Sequence, residues 1–385
     1  MTPTSAAPSR LAAWCGGLLL AWVSAWGGAG RSEAATAGPG SAAGPAWGEP
    51  RASARLFVSG HSLTDNPLGE HVVAIANSLG GRDAARYNQQ IVIGSPIANR
   101  TDQPAAWAGY SRGKNREGSG MNVIQELRAP RTLGGDRYDT LVIAERHDLV
   151  SVVQWENTVR YLRHFHERLL EGNPQGRTFL YETWWNVPDK RDPAPWIAHE
   201  RAASRAWQCV AARVNHSLAA EGRNDRITPL PAGAALADLV ERAVAGQVPG
   251  LAGPSTPDTM NRLFSDDVHL TPTGVYYMAL VTYAAVYQRS PAGAWAPSSV
   301  AAATAAAMQS QAWQFVQGFY RGYQPPTLED CRSFVAQQFC PIYWQLRQNT
   351  GPIADCTRTY SALDAGRNPL YYDAATDRRF WFAAP

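Results

Sequence analysis

The sequence predicts an α/β fold in which a parallel sheet is covered by helices on both faces. Three observations carry this. Short apolar runs end at glycine or polar turn residues. Stretches with apolar residues at helical spacing lie between them, and the two kinds alternate along the chain. Parallel strands need crossover helices, and those helices cover both faces, so the alternation reads as a three-layer α/β/α domain.

The elements follow in order. Leu56-Phe57-Val58 is a buried strand running into a turn at Ser59-Gly60. Pro67 to Leu79 carries Val72, Val73, Ile75, Ala76 and Leu79 on a helical period. Ile91-Val92-Ile93 reads as a second strand, ended by Gly94, and Thr140 to Ala144 as a third. Trp155 to Leu170 is an amphipathic helix with Val159, Leu162, Phe165, Leu169 and Leu170 on one face. Thr178 to Tyr181 is a fourth strand, Ala202 to Ala220 a helix, Ile227 to Leu230 a fifth strand and Gly274 to Tyr287 a helix. Residues 55–290 thus form the predicted sheet domain. Beyond them, Pro291 to Ser299 is a link and Ala301 to Phe319 an Ala-rich helix. Residues 324–385 show no clear period, so 291–385 reads as a C-terminal helical, Cys-containing appendage stabilised by disulfides.

Composition narrows the function. Of 385 residues 45% are hydrophobic, which excludes a compositionally disordered chain. The net charge is only +3 and no basic run occurs, which argues against a nucleic-acid partner. At the N-terminus Arg10 precedes an uncharged apolar stretch from Leu11 to Gly30, and Ala35-Thr36-Ala37 supplies a small-x-small exit. Residues 1–37 therefore read as a secretory signal, and the Gly/Ala/Ser/Pro segment 38–54 as a linker. Cleavage of the signal leaves a secreted or periplasmic protein without stable membrane insertion. Cys209, Cys331, Cys340 and Cys356 then suggest two disulfides, with three pairings open. No His stands at zinc-like spacing from them, and no metal or other cofactor is expected.

Two segments carry the chemistry. The first strand ends in Ser59-Gly60-His61-Ser62-Leu63-Thr64-Asp65, and ligands of open parallel sheets bind at the carboxyl ends of strands. Gly60 permits a turn that lifts Ser62 above the sheet edge. The second segment is Ser265-Asp266-Asp267-Val268-His269-Leu270-Thr271-Pro272-Thr273-Gly274. An Asp three residues before a His folds its carboxylate back onto the ring and frees the other ring nitrogen to take a proton from a serine. Asp267, two residues away, is the competing acid.

The Gly60-His61-Ser62-Leu63-Thr64-Asp65 segment resembles block I of the SGNH/GDSL hydrolases. Asp266-x-x-His269, with the Pro and Gly after it, resembles their block V, and Gly94 resembles their block II glycine. The resemblance spans residues 55–290. It implies a flavodoxin-like α/β/α sheet and ester hydrolysis through an acyl-Ser62 intermediate, with His269 as base and Asp266 as orienting acid. It also implies an oxyanion hole from the Ser62 and Gly94 backbone N–H groups and a block III Asn. Block III departs: the third strand runs into Ala144-Glu145-Arg146-His147-Asp148, without Gly or Asn. Aligned without a gap, His147 stands at the Asn position; its neutral imidazole or Arg146 is then the expected donor. Block I also carries His61 where the family often has Asp.

Trp184 and Trp185 end the fourth strand on the ligand side, and Trp107 and Tyr110 lie in the loop after block II. Aromatic faces there suit sugar rings as well as core packing. Arg100, Arg112, Lys114 and Arg116 in that loop read as solvated charges, as do Glu145, Asp148, His199 and Glu200. His164 and His166 read as surface or satisfied structural histidines. The sequence therefore points to an exported serine esterase acting on O-acyl groups, O-acetyl on carbohydrate foremost. The alternatives are a polysaccharide O-acetyltransferase using the same residues and a non-catalytic glycan-binding protein that keeps the fold.

Overall fold

A computed structural model describes residues 49–101 and 110–383. The signal and most of the linker expected at the N-terminus, and Trp107, lie outside the described residues. Five strands form one parallel sheet: β1 (Ala54–Gly60), β2 (Ala85–Ile91), β3 (Thr140–Ala144), β4 (Arg177–Tyr181) and β5 (Ile227–Leu230). Their order is β2-β1-β3-β4-β5, with a separate two-stranded hairpin at 131–136. The chain winds outward from β1 to β2 and then back across to β3. The resulting switch point leaves a crevice above the ends of β1 and β3.

The helices are α1 (Leu68–Gly80), α2 (Val123–Arg128), α3 (Leu149–Trp155), α4 (Thr158–Gly172), α5 (Ala194–Ala220), α6 (Ala232–Val244), α7 (Thr256–Leu263) and α8 (Pro272–Tyr287). They are followed by α9 (Ala302–Gly322), α10 (Leu328–Phe334), α11 (Cys340–Leu346), α12 (Ile353–Ser361) and α13 (Asp377–Phe380). Successive strand residues point to opposite faces and feed two cores. Leu56, Val58, Val142, Ala144, Phe179 and Tyr181 meet α1, α6, α8 and α9 on one side. Phe57, Leu141, Ile143, Leu180 and Ile227 meet α4, α5 and α10 to α12 on the other. This is the three-layer α/β/α architecture.

The structure corrects several sequence expectations. The second strand is Ala85–Ile91, not Ile91–Ile93; Ile93 is exposed. Its register is held by buried amides instead of an apolar run: Gln90 Nε2 donates to the Arg100 and Arg112 carbonyls, and Ser59 Oγ donates to Gln90 Oε1. The helix expected over Trp155 to Leu170 starts at Thr158 and runs to Gly172; Asn157, whose φ of 53° is left-handed, separates it from an unexpected helix that ends at Trp155. The segment after residue 324 forms helices without a simple apolar period, because its packing is shared with disulfides. Cys209–Cys331 joins α5 to α10, and Cys340–Cys356 joins α11 to α12. The described residues all fall in one compact unit, and the chain beyond 290 packs into both layers. Among the described residues no helix is long and apolar enough to cross a membrane.

Candidate active site

Gly60 closes β1 because a Cβ there would lie 1.8 Å from Thr64 Oγ1. The turn that follows is tied by Thr64 N–H to the His61 carbonyl at 2.9 Å, and it presents Ser62 half-buried above the sheet. The His269 loop is built by local bonds. Ser265 N–H donates to the His269 carbonyl at 2.8 Å and Thr271 N–H to the Leu263 carbonyl at 2.9 Å. Thr271 Oγ1 then caps α8 by accepting from Gly274 N–H at 3.3 Å. Gly274 is required at that close approach, since a Cβ would lie 2.6 Å from the Leu263 carbonyl oxygen.

Across 207 residues of chain, His269 Nε2 meets Ser62 Oγ at 3.1 Å. His269 Nδ1 meets Asp266 Oδ2 at 2.7 Å, and Asp266 Oδ1 accepts the Val268 and His269 backbone N–H groups at 2.8 and 2.6 Å. Those partners assign the tautomer: Nδ1–H donates to the carboxylate, and Nε2 is left to accept the serine proton. Burial is the largest single influence on the Asp266 carboxyl and pushes it up. The His269 ring N–H and the two backbone N–H groups outweigh it and hold the carboxyl at about 2. Asp267 faces elsewhere, accepting Asn186 Nδ2 at 2.8 Å on its carboxylate and Val187 N–H on its carbonyl.

His61 beside Ser62 is buried, and burial together with Arg100 lowers its pKa to about 3. Its Nε2–H donates to the Glu145 carbonyl at 3.0 Å. It therefore adds no charge next to Ser62 at neutral pH. His147 is lowered to about 4, chiefly by burial, and its Nδ1 is buried without a partner. Arg146 is engaged by Asp148 at 2.6 and 2.9 Å, which leaves the His147 imidazole the freer donor of the two. Gly94, with φ 67°, turns the chain after β2, where Ser95 N–H donates to the Val92 carbonyl.

Sequence reading missed one group beneath the site. Glu145 is wholly buried, not solvated. Its Oε1 accepts Ile97 N–H at 2.8 Å and Arg146 N–H at 2.7 Å, and its Oε2 accepts Thr158 Oγ1 at 2.7 Å. Its carbonyl accepts His61 Nε2 and Thr183 Oγ1, both at 3.0 Å. One residue thus links the loops after β1, β2, β3 and β4 to the start of α4. Arg100, expected to be solvated, is also buried and donates to the Ala144 carbonyl. Burial raises the Glu145 pKa, and Arg100 opposes the rise. The signal available was position alone: a carboxylate directly at the end of a central strand.

The other expected residues divide. Trp184 is buried, and its Nε1–H donates to the Val268 carbonyl at 2.8 Å, which pins the loop that carries His269. Trp185 packs at 4.9 Å between ring centres against His147, and the Arg347 guanidinium lies 3.6 Å over its ring. Tyr110 is core, bonded to His164. His166 is also buried, between Thr178 Oγ1 and Asp225 Oδ2. His199 and Glu200 are a buried bonded pair, not solvated charges, and Glu200 Oε1 also accepts Trp185 N–H.

A pocket of about 210 Å³ opens beside Ser62 and His269. Leu63, Leu68, Trp184, Leu270, Val275 and Met278 supply its apolar walls. A larger cavity of about 450 Å³, lined by Asn157, Arg160 and Arg379, shares no lining residue with it. Among the described residues no group of three His, Cys, Asp or Glu side chains is placed to hold a metal ion.

No protein-family model matches this chain, and no curated protein matches it. A solved structure from Bacteroides uniformis, described as a DUF4886 family protein, is similar over 68% of this chain and 94% of its own. The identity is 12% and the TM-score 0.46. The site is therefore read from its own geometry.

Proposed function

We propose that the chain is a serine esterase of the SGNH type that hydrolyses O-acyl esters. The observation that carries this reading is the continuous line of contacts from Ser62 Oγ through His269 to Asp266, at 3.1 and 2.7 Å. In this reading Ser62 Oγ attacks the ester carbonyl while His269 Nε2 takes its proton. Asp266 steadies the imidazolium. The tetrahedral oxyanion is held by the Ser62 and Gly94 backbone N–H groups and by the His147 imidazole. Such donors are worth most where they are pre-positioned. His269 then hands the proton to the departing alcohol oxygen, leaving acyl-Ser62. A water, deprotonated by His269, attacks the acyl carbon, and Ser62 regains its proton as the acid leaves.

The proposed substrates are acylated small molecules or glycans met after export. The test is hydrolysis of p-nitrophenyl esters by the chain from residue 38 onward. Turnover lost by about 10³-fold or more in Ser62→Ala and in His269→Ala, with unchanged circular dichroism, is expected. Equal turnover in all three proteins would remove the reading.

A further inference from the structure

We infer that the pocket beside Ser62 receives the acyl chain, and that it is built for a chain of about four to six carbons and not for acetyl; this rests on the esterase reading above. The pocket is about 210 Å³, room for roughly seven groups of water size at about 30 Å³ each. An acetyl group places one methyl beyond the carbonyl carbon and would leave most of that space unfilled. A hexanoyl group places five carbons there, and its carbonyl carbon and oxygen beside Ser62 account for the remaining two groups.

The lining selects the same moiety. Leu270 and Val275 are half-buried and present apolar surface to the pocket, and the more deeply buried Leu63, Leu68, Trp184 and Met278 complete the wall. Asp65 and Asn66 are the polar residues on the lining besides Ser62 and His269, and one oxygen of each is engaged internally. Asn66 Oδ1 accepts the Tyr87 hydroxyl at 3.2 Å, and Asp65 Oδ1 accepts Asn66 N–H at 2.7 Å. A sugar ring brings hydroxyls that need partners, and these walls offer few, so burying it there is unfavourable. A hydrocarbon tail needs none and gains from each methylene removed from water. The alcohol half of the ester is left to the open side, above the loops after β3 and β4, where Trp185 and His147 stand.

The experiment is a series of p-nitrophenyl esters from acetate to decanoate, with the leaving group held constant. The expected kcat/KM rises roughly fourfold per methylene up to about hexanoate and falls by decanoate. Val275→Phe, which fills the pocket from α8, is expected to lower the hexanoate-to-acetate ratio by about tenfold or more. The ratio is taken within one preparation, so a partly unfolded variant does not alter it. Acetate hydrolysed as fast as hexanoate by the parent chain would overturn the acyl-chain inference and leave the esterase reading standing. So would a rate that climbs with alcohol length across a set of acetate esters, since the pocket would then hold the leaving group. No Ser62-dependent turnover of any ester would take down both.

Discussion

The His269 loop and the Glu145 junction sit on the same sheet edge and are built in opposite ways. The loop is open: His269 and Asp266 side chains are 45% and 51% exposed, and its bonds run mostly between residues a few positions apart. The junction is closed: Glu145 is 0% exposed, and most of its partners come from distant loops. The difference assigns them separate tasks. An exposed loop stays open to solvent and to whatever binds there, and its geometry is fixed by short-range bonds. A buried carboxylate with several donors ties separate loops into one frame, and any loss leaves those donors unpaired in a low dielectric.

Three substitutions or conditions sharpen that contrast. The largest effect is expected from Asp266→Asn, which keeps the shape of the loop and upsets the His269 tautomer. Its kcat should fall by about 10⁴-fold while the melting temperature stays close to the parent. Rate and stability collapsing together would mean that the loop is structural as well. Glu145→Ala should reverse the pattern. It leaves the donors from Ile97, Arg146 and Thr158 without their acceptor and buried Arg100 without its nearby opposite charge, at about 3–5 kcal/mol in urea denaturation. Glu145→Gln should recover most of this, because it still offers an acceptor oxygen. An alanine variant as stable as the parent would contradict the frame.

The smallest effect concerns pH. His61 has its pKa lowered from 6.5 to about 3, so above pH 6.5 it is neutral both folded and unfolded. Below 6.5 the unfolded chain takes the proton and the folded one does not. Stability is therefore lost as pH falls from about 6.5 toward 3, by no more than about 1.4 kcal/mol per pH unit from this residue. His147 and His164, lowered to about 4 and about 3, act in the same direction. His61→Gln, which keeps an N–H for the Glu145 carbonyl, should flatten the melting curve against pH between 6.5 and 4. An unchanged slope would show that His61 does not resist protonation.

The same contrast explains what was legible in the sequence. The meeting of Asp266 with His269, and the place of Ser62 at a strand end, were legible because they are written in short spacings: an Asp three residues before the His, and a glycine two before the serine. The three-layer parallel architecture followed from the alternation of apolar runs and helical stretches. β2 was misplaced because Asn88 and Gln90 are buried through side-chain amide hydrogen bonds to Glu126 of α2 and to the carbonyls of Arg100 and Arg112, partners that no local pattern announces. Glu145, Arg100, His199 and Glu200 read as solvated for the same reason. A charged residue is buried by partners that arrive only when the sheet assembles, and nothing nearby in the chain records them. The tail after residue 324 hid its helices because their apolar faces are completed by α5 and by two disulfides.

The Cys340–Cys356 bridge closes the stretch of chain that holds Tyr343 and Arg347. Arg347 lies between the Tyr343 and Trp185 rings, at 3.3 and 3.6 Å. Trp185 in turn backs His147. The far wall of the cleft is thus clamped by a segment that begins fifty residues after α8 ends, and α9 covers α8 with Met308, Ala312 and Val316. Residues 55–290 hold all three members of the Ser62 array without closing on themselves. Cutting the chain after α8 would strip one core of its cover and take the clamp from the other side, so residues 55–290 are not a unit that trimming the end would leave intact.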